Sequence, residues 1–380
     1  MAGRQFIAAA TGNRQPFTWI VATLVVTICI GCTTDATRRG YLRTIAEGYE
    51  APSRPVIVVP GFGVTRLFDP VAKRFVWGTG RATMQTRYED DLDLPPEGHD
   101  RLVPRGYVGS RGPVNIGWQL LEGLRKFGRY TPERDAFGFH YDWRLSAREN
   151  AMKLDAIVDR VRAGGKVDIV THSAGAIVAL TYVKLGGGAS KVDHLILIAP
   201  TQRGVVDAFR VVVRPERFLR RVFTPEMVET WPFVAELMPE DGRFLVDEDG
   251  RAIDRDLWTA AGWRGIARVN AGQLARAREL RDALNRQPMP VSVHVSVIAG
   301  DCVATARRVL MRRDGTFVFY PGELLPAERK LLDVIFEPGD GTVPISSADP
   351  DRNAMIVCDG HQGIAADPTV HRAILRTLRR

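Results

Sequence analysis

Apolar residues recur along this chain in two rhythms. Short, nearly unbroken runs at 55–60 (PVIVVP), 166–170, 192–199 (VDHLILIA), 291–298 (VSVHVSVI) and 354–357 read as strands, the first of them buried on both faces. Between them, apolar positions return at helical spacing. Ser146 and Glu149 form a capping box ahead of Met152, Leu154, Ile157, Val158 and Val161, and Gly164-Gly165 ends that helix. A second helix is expected over 174–185, stopped by three glycines. A last one opens at Asp367-Pro368 and ends on Arg376, Arg379 and Arg380, cations favourable at a helix C-terminus. Strands alternating with helices predict a mostly parallel sheet covered by helices. From 201 to 290 the rhythm lapses into aromatics, prolines and helical fragments, which predicts an insertion lying over the sheet as a cap. The core is thus expected in two parts, 55–200 and 291–380.

The first 54 residues follow another pattern. Arg4 and Arg14 precede an uncharged run, 17–31 (FTWIVATLVVTICIG), that ends at Cys32. A positive start, an apolar stretch of this length and small residues at the break describe a secretory signal. The stop at Ile30-Gly31-Cys32 is similar to a bacterial lipoprotein signal, which predicts cleavage before Cys32 and its lipidation; an uncleaved anchor is the alternative. Either way the chain from 33 onward is expected outside the cytoplasm and tethered to a bilayer, on the periplasmic side of an outer membrane. Residues 32–54 read as the tether. In such a compartment the remaining pair, Cys302 after one expected strand and Cys358 closing another, is a candidate disulfide.

Composition adds exclusions. Among 380 residues, 45% are hydrophobic and 25% charged, which suits a globular protein and excludes a disordered tail or a multi-span membrane protein. The net charge of +8 rests almost wholly on arginine, and no nucleic-acid-binding signature accompanies it, so no nucleic-acid partner is expected. No P-loop, HExxH or Cys/His metal cluster occurs, and Gly61-Phe62-Gly63 lacks the third glycine of a dinucleotide fingerprint because Arg66 stands there. No cofactor is implied.

The chemistry centres on Thr171-His172-Ser173-Ala174-Gly175, set between an expected strand and an expected helix. A serine on such a turn stands proud of the sheet and is a candidate nucleophile. The turn crowds positions two before and two after the serine; Gly175 is small, whereas Thr171 is not. A nucleophilic serine needs a histidine base and an orienting acid later in the chain. His361, in Asp359-Gly360-His361-Gln362-Gly363, is the candidate base, while His371 falls in the last helix and reads as a surface residue. The acid is Asp340, in GDGTVP, or its rival Asp301. The oxyanion needs two backbone N–H groups, for which Ala174 and Phe62 are candidates. His99, His140, His194 and His294 read as structural.

These pieces together resemble a family. VVPGFGVTRL, FHYDWRLS at 139–146, THSAG, TWPFVAELMP at 230–239, GDGTVPISSA at 339–348 and the late His361 resemble the lecithin:cholesterol acyltransferase family, over about residues 55–378. The resemblance implies an α/β-hydrolase fold, a Ser173–Asp340–His361 triad, Phe62 and Ala174 at the oxyanion, a Cys302–Cys358 disulfide, and a mobile lid near 205–240. Thr171 and Thr201-Gln202-Arg203-Gly204 depart from the family's pattern. Within the lid, 205–223 mixes valines and phenylalanines with five arginines; it reads either as a basic amphipathic segment lying on anionic lipid or as a cap helix packed on the sheet, with Pro215 breaking any single helix. The expected function is a serine esterase acting on membrane lipid or another acyl ester, releasing the acyl group to water or to an alcohol. A lipoprotein that keeps the fold but is catalytically idle, binding lipid or a partner, is the second reading.

Overall fold

The computed structural model describes residues 52–79, 92–95, 102–109, 118–218 and 221–379. The expected signal, Cys32 and nearly all of the tether lie outside the described residues. Six strands form the central sheet: β1 (Val56–Val59), β2 (Ala136–Gly138), β3 (Val167–His172), β4 (Val192–Ile198), β5 (His294–Gly300) and β6 (Met355–Val357). Their order is β6-β5-β4-β3-β1-β2, and each neighbouring pair is parallel.

Side-chain alternation divides these strands between two cores. Ile57, Val59, Ile169, Leu195 and Leu197 face one, together with Leu154 and Val158 of α2 (Ala147–Val161) and the buried side of α3 (Gly175–Leu185). Val56, Val58, Val170, Ile196 and Ile298 face the other, with α1 (Gln119–Gly128) and α6 (Pro368–Thr377). Burying each of these aliphatic side chains stabilises the fold by roughly 1.5–3 kcal/mol, which is why strands with both faces covered read as unbroken apolar runs. The capping box is complete: Ser146 Oγ accepts from Glu149 N–H, and the Glu149 carboxylate from Ser146 N–H.

Several boundaries differ from expectation. β5 starts at His294 rather than 291, because Val293 N–H turns back to Pro290 O at 3.0 Å and Val291 is fully exposed. Met152 points outward from α2. His371 is buried, not on the surface: its ring occupies the hollow that Gly123 of α1 leaves, where an added Cβ would collide with it. Burial pushes that imidazole down to about 4. Arg54, expected in the tether, is docked at the base of the sheet, 3.2 Å from Asp168 and 3.2 Å from Asp193.

The cap does not end at residue 290. Leu245–Val246 pairs in parallel with Val309–Leu310, so part of the segment assigned to the second half of the core belongs to the upper lobe. Its other pieces are α4 (Val206–Val213), a hairpin of Glu216–Phe218 with Arg221–Phe223, two short helices (Pro225–Val228 and Pro232–Glu236), and α5 (Ala271–Arg286). The tip of the hairpin, residues 219–220, lies outside the described residues. α4 packs as a cap helix: Phe209 is fully buried against Phe244, Trp263 and Phe317, and Arg210 is buried in ion pairs with Asp207 and Glu216. The apolar side of the expected lid therefore faces inward here, and Pro215 separates it from the hairpin.

β1 and β3 are neighbours whose outgoing chains lead to opposite sides of the sheet. Such a switch leaves a crevice beyond the carboxyl ends of the two strands. The loop after β1 carries Gly61-Phe62-Gly63, and the turn after β3 carries Ser173.

Candidate active site

Ser173 occupies the turn between β3 and α3 with φ of 56°, a left-handed conformation that costs a non-glycine residue on the order of 1–3 kcal/mol. Packing enforces it. Ser173 N–H donates to Ile198 O at 2.9 Å, and a Cβ on Gly175 would run into the carbonyls of Val59 and Pro60. Across the crevice, a Cβ on Gly61 would stand 2.9 Å from Ser173 Cβ. The crowding of the turn is thus relieved at Gly61 and Gly175. Thr171 is an ordinary ladder residue, paired with Val59 and Leu197 and fully buried. Its hydroxyl has no hydrogen-bond partner.

Two distant segments converge on the serine. Ser173 Oγ–H donates to His361 Nε2 at 2.8 Å, and His361 Nδ1–H donates to Asp340 Oδ2 at 2.8 Å. Asp340 follows the strand Phe336–Gly339, which pairs antiparallel with Val303–Ala306. Its Oδ1 accepts N–H groups from Thr342 (2.9 Å) and Val343 (2.7 Å), and its carbonyl accepts His361 N–H at 2.8 Å. Gly300 leaves room for it, since a Cβ there would lie 2.9 Å from Asp340 Cβ. Asp301, the rival acid, is exposed. Cys302 and Cys358 are joined, Cα to Cα 5.1 Å, tying the ends of β5 and β6 together three residues before His361.

Electrostatics separate the two partners. Burial raises the Asp340 carboxyl, but the charge and hydrogen bond of His361 and the two amide donors outweigh it and leave Asp340 below its ordinary value. Burial lowers the His361 imidazole, yet Asp340, and less strongly Asp207 on α4, reverse this and hold it above its ordinary value. Asp340 stays ionised and fixes the tautomer in which Nε2 is free to accept the serine proton.

The loop after β1 is held by Trp77 and by two side chains of the FHYDWRLS segment, to which the sequence analysis assigned no role. Tyr141 OH donates to Pro60 O (2.8 Å), Trp77 Nε1–H to Gly63 O (2.6 Å) and Trp143 Nε1–H to Thr65 O (3.0 Å). Gly61 O accepts Val64 N–H at 3.4 Å, which turns the Phe62 N–H of the same trans peptide the other way. The Phe62 ring sits edge-on against Trp143 at 4.7 Å and against Phe233 and Trp231 of the cap at 6.5 and 6.1 Å. The signal available was the Tyr141-Asp142-Trp143-Arg144 segment itself, quoted for the resemblance but given no contact to the β1 loop. Interleaved with these aromatics, Asp142 and the following Arg144 form a bidentate buried pair at 3.0 and 2.7 Å. Ala174 stands at the N-terminal end of α3.

The site is covered, for Ser173 is only 8% exposed. A separate cluster, Asp168, Asp193 and His194, has ligand atoms within 4.8 Å of one another at the opposite end of the sheet. The Arg54 guanidinium already pairs with both carboxylates, so a cation there would meet a resident positive charge.

No protein-family model matches the chain. The uncharacterized protein YJR098C of Saccharomyces cerevisiae is 26% identical over 281 residues, which cover 67% of this chain and 40% of that protein, so the chain spans well under half of that relative. Among solved structures, a chain of the Tle4–Tli4 complex is similar with a TM-score of 0.53 and 14% identity, over 87% of this chain and 99% of its own. The metagenomic carboxyl esterase MGS0156 has a TM-score of 0.40 and 13% identity, over 87% of this chain and 76% of its own. The mature Bacillus licheniformis lipase BlEst2 has a TM-score of 0.40 and 12% identity, over 87% of this chain and 94% of its own. The chain has the α/β-hydrolase fold: a parallel sheet, helices on both faces, and a serine turn at the switch point.

Proposed function

We propose that this protein is a lipid-active serine esterase, in which Ser173 is the nucleophile, His361 the general base and Asp340 the residue that orients it. The observation that carries the reading is the unbroken chain of hydrogen bonds from Ser173 Oγ through His361 to Asp340, with the serine in a left-handed turn. Neutral His361 takes the Ser173 proton as Oγ attacks the ester carbonyl. The Phe62 and Ala174 N–H groups stabilise the tetrahedral oxyanion. Collapse expels the alcohol, which takes the proton from His361, and leaves an acyl ester on Ser173. Water or a second alcohol, deprotonated by His361, then attacks that ester and frees the serine. The first outcome makes the protein a lipase or phospholipase, the second an O-acyltransferase of the lecithin:cholesterol type.

The burial of Ser173 supports a cap that must shift before a lipid ester enters, and the resemblance assigns that movement to 205–240. Lipidation at Cys32 would keep the enzyme on its substrate surface. The test incubates the full chain and its Ser173→Ala variant with phospholipid vesicles containing a long-chain alcohol, followed by mass spectrometry. Free fatty acid absent from the variant identifies a hydrolase, and alcohol ester in excess of free acid identifies a transferase. If neither product forms and a fluorophosphonate fails to label Ser173 with detergent present, the catalytic reading falls and the idle lipid-binding one replaces it.

A further inference from the structure

We infer that His172, the residue beside the nucleophile, is the positioning residue of the catalytic base: it holds His361 by the main chain while Ser173 engages its ring. The inference rests on the assignment of Ser173 and His361 made above. His172 is the last residue of β3, so its side chain leaves the strand on the opposite side from Thr171 and reaches the loop after β6. Its Nε2 lies 2.9 Å from His361 O, and its ring lies 4.8 Å from the His361 ring, tilted by 37°. Both rings are buried.

A carbonyl only accepts, so the His172 Nε2 carries the proton, and the neutral ring has its lone pair on Nδ1. Neutrality matters because His361 becomes an imidazolium during each acyl transfer, and a second cation in ring contact would oppose it. Burial, with the neighbouring His361 charge adding to it, pushes His172 down to about 3, so it stays neutral throughout the range in which His361 titrates. Asp340 faces the same pair from the loop that ends the 303–339 ribbon.

The consequence is a tie that does not depend on the reacting hydrogen bond. His361 is held at three atoms: its N–H by Asp340 O, its Nδ1 by Asp340 Oδ2, and its carbonyl by His172. The first two come from one residue, Asp340, and tie the histidine to the loop after the strand Phe336–Gly339. The third pins it to β3, the strand that carries the serine, so the distance between nucleophile and base is set by covalent neighbours. Misplacement of a reacting group by about 1 Å costs on the order of 100-fold in rate.

The chemistry of side-chain reach supplies the test. A glutamine places its amide nitrogen as many bonds from Cα as His172 Nε2, whereas asparagine reaches only as far as Nδ1. On a soluble short-chain ester, His172→Phe should lower kcat by roughly 30–100-fold with KM changed less than about 2-fold. His172→Gln should recover kcat to within about 5-fold, and His172→Asn should not. An unchanged kcat in His172→Phe, or equal behaviour of the Gln and Asn variants, overturns the role. Should the variants fail to fold, imidazole nitrogen NMR of the wild-type chain decides: the inference requires a neutral, Nε2-protonated His172 from pH 5 to 9, and titration in the ordinary histidine range overturns it. A wild-type chain that neither hydrolyses the ester nor labels with a fluorophosphonate overturns the proposed function and this role together. Active wild-type with His172→Phe unimpaired overturns this role alone.

Discussion

The rim of the sheet and the cap above it both bury charged groups, but they satisfy them differently. At the rim, Asp340 and His361 face each other at 2.8 Å, and each drives the other toward its ionised form. Where the Pro232–Glu236 helix of the cap meets α2 and α5, away from the Arg210 ion pairs, the Glu236 carboxylate accepts Ala147 N–H at 2.7 Å, while Arg281 gives its donors to the main-chain carbonyls of Glu236 and Gln202. Burial pushes Glu236 up to about 8 and pulls Arg281 down to about 10. A carboxylate facing a cation is held ionised by the protein, whereas Glu236, whose hydrogen bond is to a peptide N–H, is pushed up toward working pH; Arg281 stays charged. Asp340 therefore stays ionised beside a base that cycles between neutral and charged forms, and the attachment of the cap at Glu236 responds to pH.

The largest effect should come from breaking the rim pair. Asp340→Asn preserves shape but removes the charge that orients His361, and kcat should fall about 10⁴-fold. The sign of the pH effect follows from the base being active when neutral. With its pKa raised, wild-type kcat/KM should climb with pH through a midpoint above 6.5, the ordinary histidine value. In Asp340→Asn burial remains without its counterweight, so the midpoint should move to or below that value. A pH–rate profile checks both, and an unmoved midpoint would show that Asp340 does not hold the base.

The same contrast governs what could be read from the chain. β1, β3 and β4 were legible because burial on both faces leaves unbroken apolar runs, and α2 because Ser146 and Glu149 announce its start. Ser173, His361 and Asp340 were reachable from turn chemistry and chain order, with the resemblance deciding between Asp340 and Asp301. The 291–298 run misled at its start, because alternating valine and serine looks the same whether a residue pairs or, like Val291, stands in solvent. His371 was misread because the hollow that receives it belongs to Gly123, almost 250 positions earlier. The cap was opaque for a related reason. Its strands are two or three residues long and find partners such as Val309–Leu310 more than sixty positions away, leaving no local period to detect. The role of His172 depends on a carbonyl 189 residues away, which no pattern at the serine turn reports.

The disulfide supports the rim and not the cap, so its loss is the next test. Cys302 and Cys358 are 56 positions apart, and in the chain-entropy account closing a loop of that length stabilises the fold by about 4 kcal/mol. Replacing both by alanine should lower the urea midpoint accordingly, and kcat should fall with it because Cys358 leads directly into the His361 loop. Lost stability with kcat intact would mean that Asp340 and His172 hold the histidine unaided.

Glu236 offers a smaller effect on the cap side. A carboxyl with a raised folded pKa contributes stability that is full below its unfolded value, near 4.5, and is lost as pH rises toward the folded value. Its share of the loss between pH 6.5 and 8 should be about 2 kcal/mol. Glu236→Gln keeps an acceptor for Ala147 N–H and removes the titration, so its stability should decline less over that interval. Parallel wild-type and variant curves in urea titrations at both pH values would place the pH response of the cap elsewhere.

The smallest expected effect separates fold from chemistry at a single position. Thr171 is fully buried in the ladder of β3, and its hydroxyl has no partner, so the chain carries a desolvation cost of roughly 1–3 kcal/mol there without a compensating bond. Valine has nearly the same shape and strand preference, so Thr171→Val should stabilise the protein by about 1 kcal/mol. Glycine should instead destabilise it by leaving a void on the buried face of β3. Because the room for the serine turn is made at Gly61 and Gly175, kcat of the valine variant should stay within about 2-fold of wild type. A large loss of kcat in a stabilised Thr171→Val protein would mean that the buried hydroxyl acts on the neighbouring turn, and that the rim's electrostatic frame extends one residue further down β3 than its hydrogen bonds do.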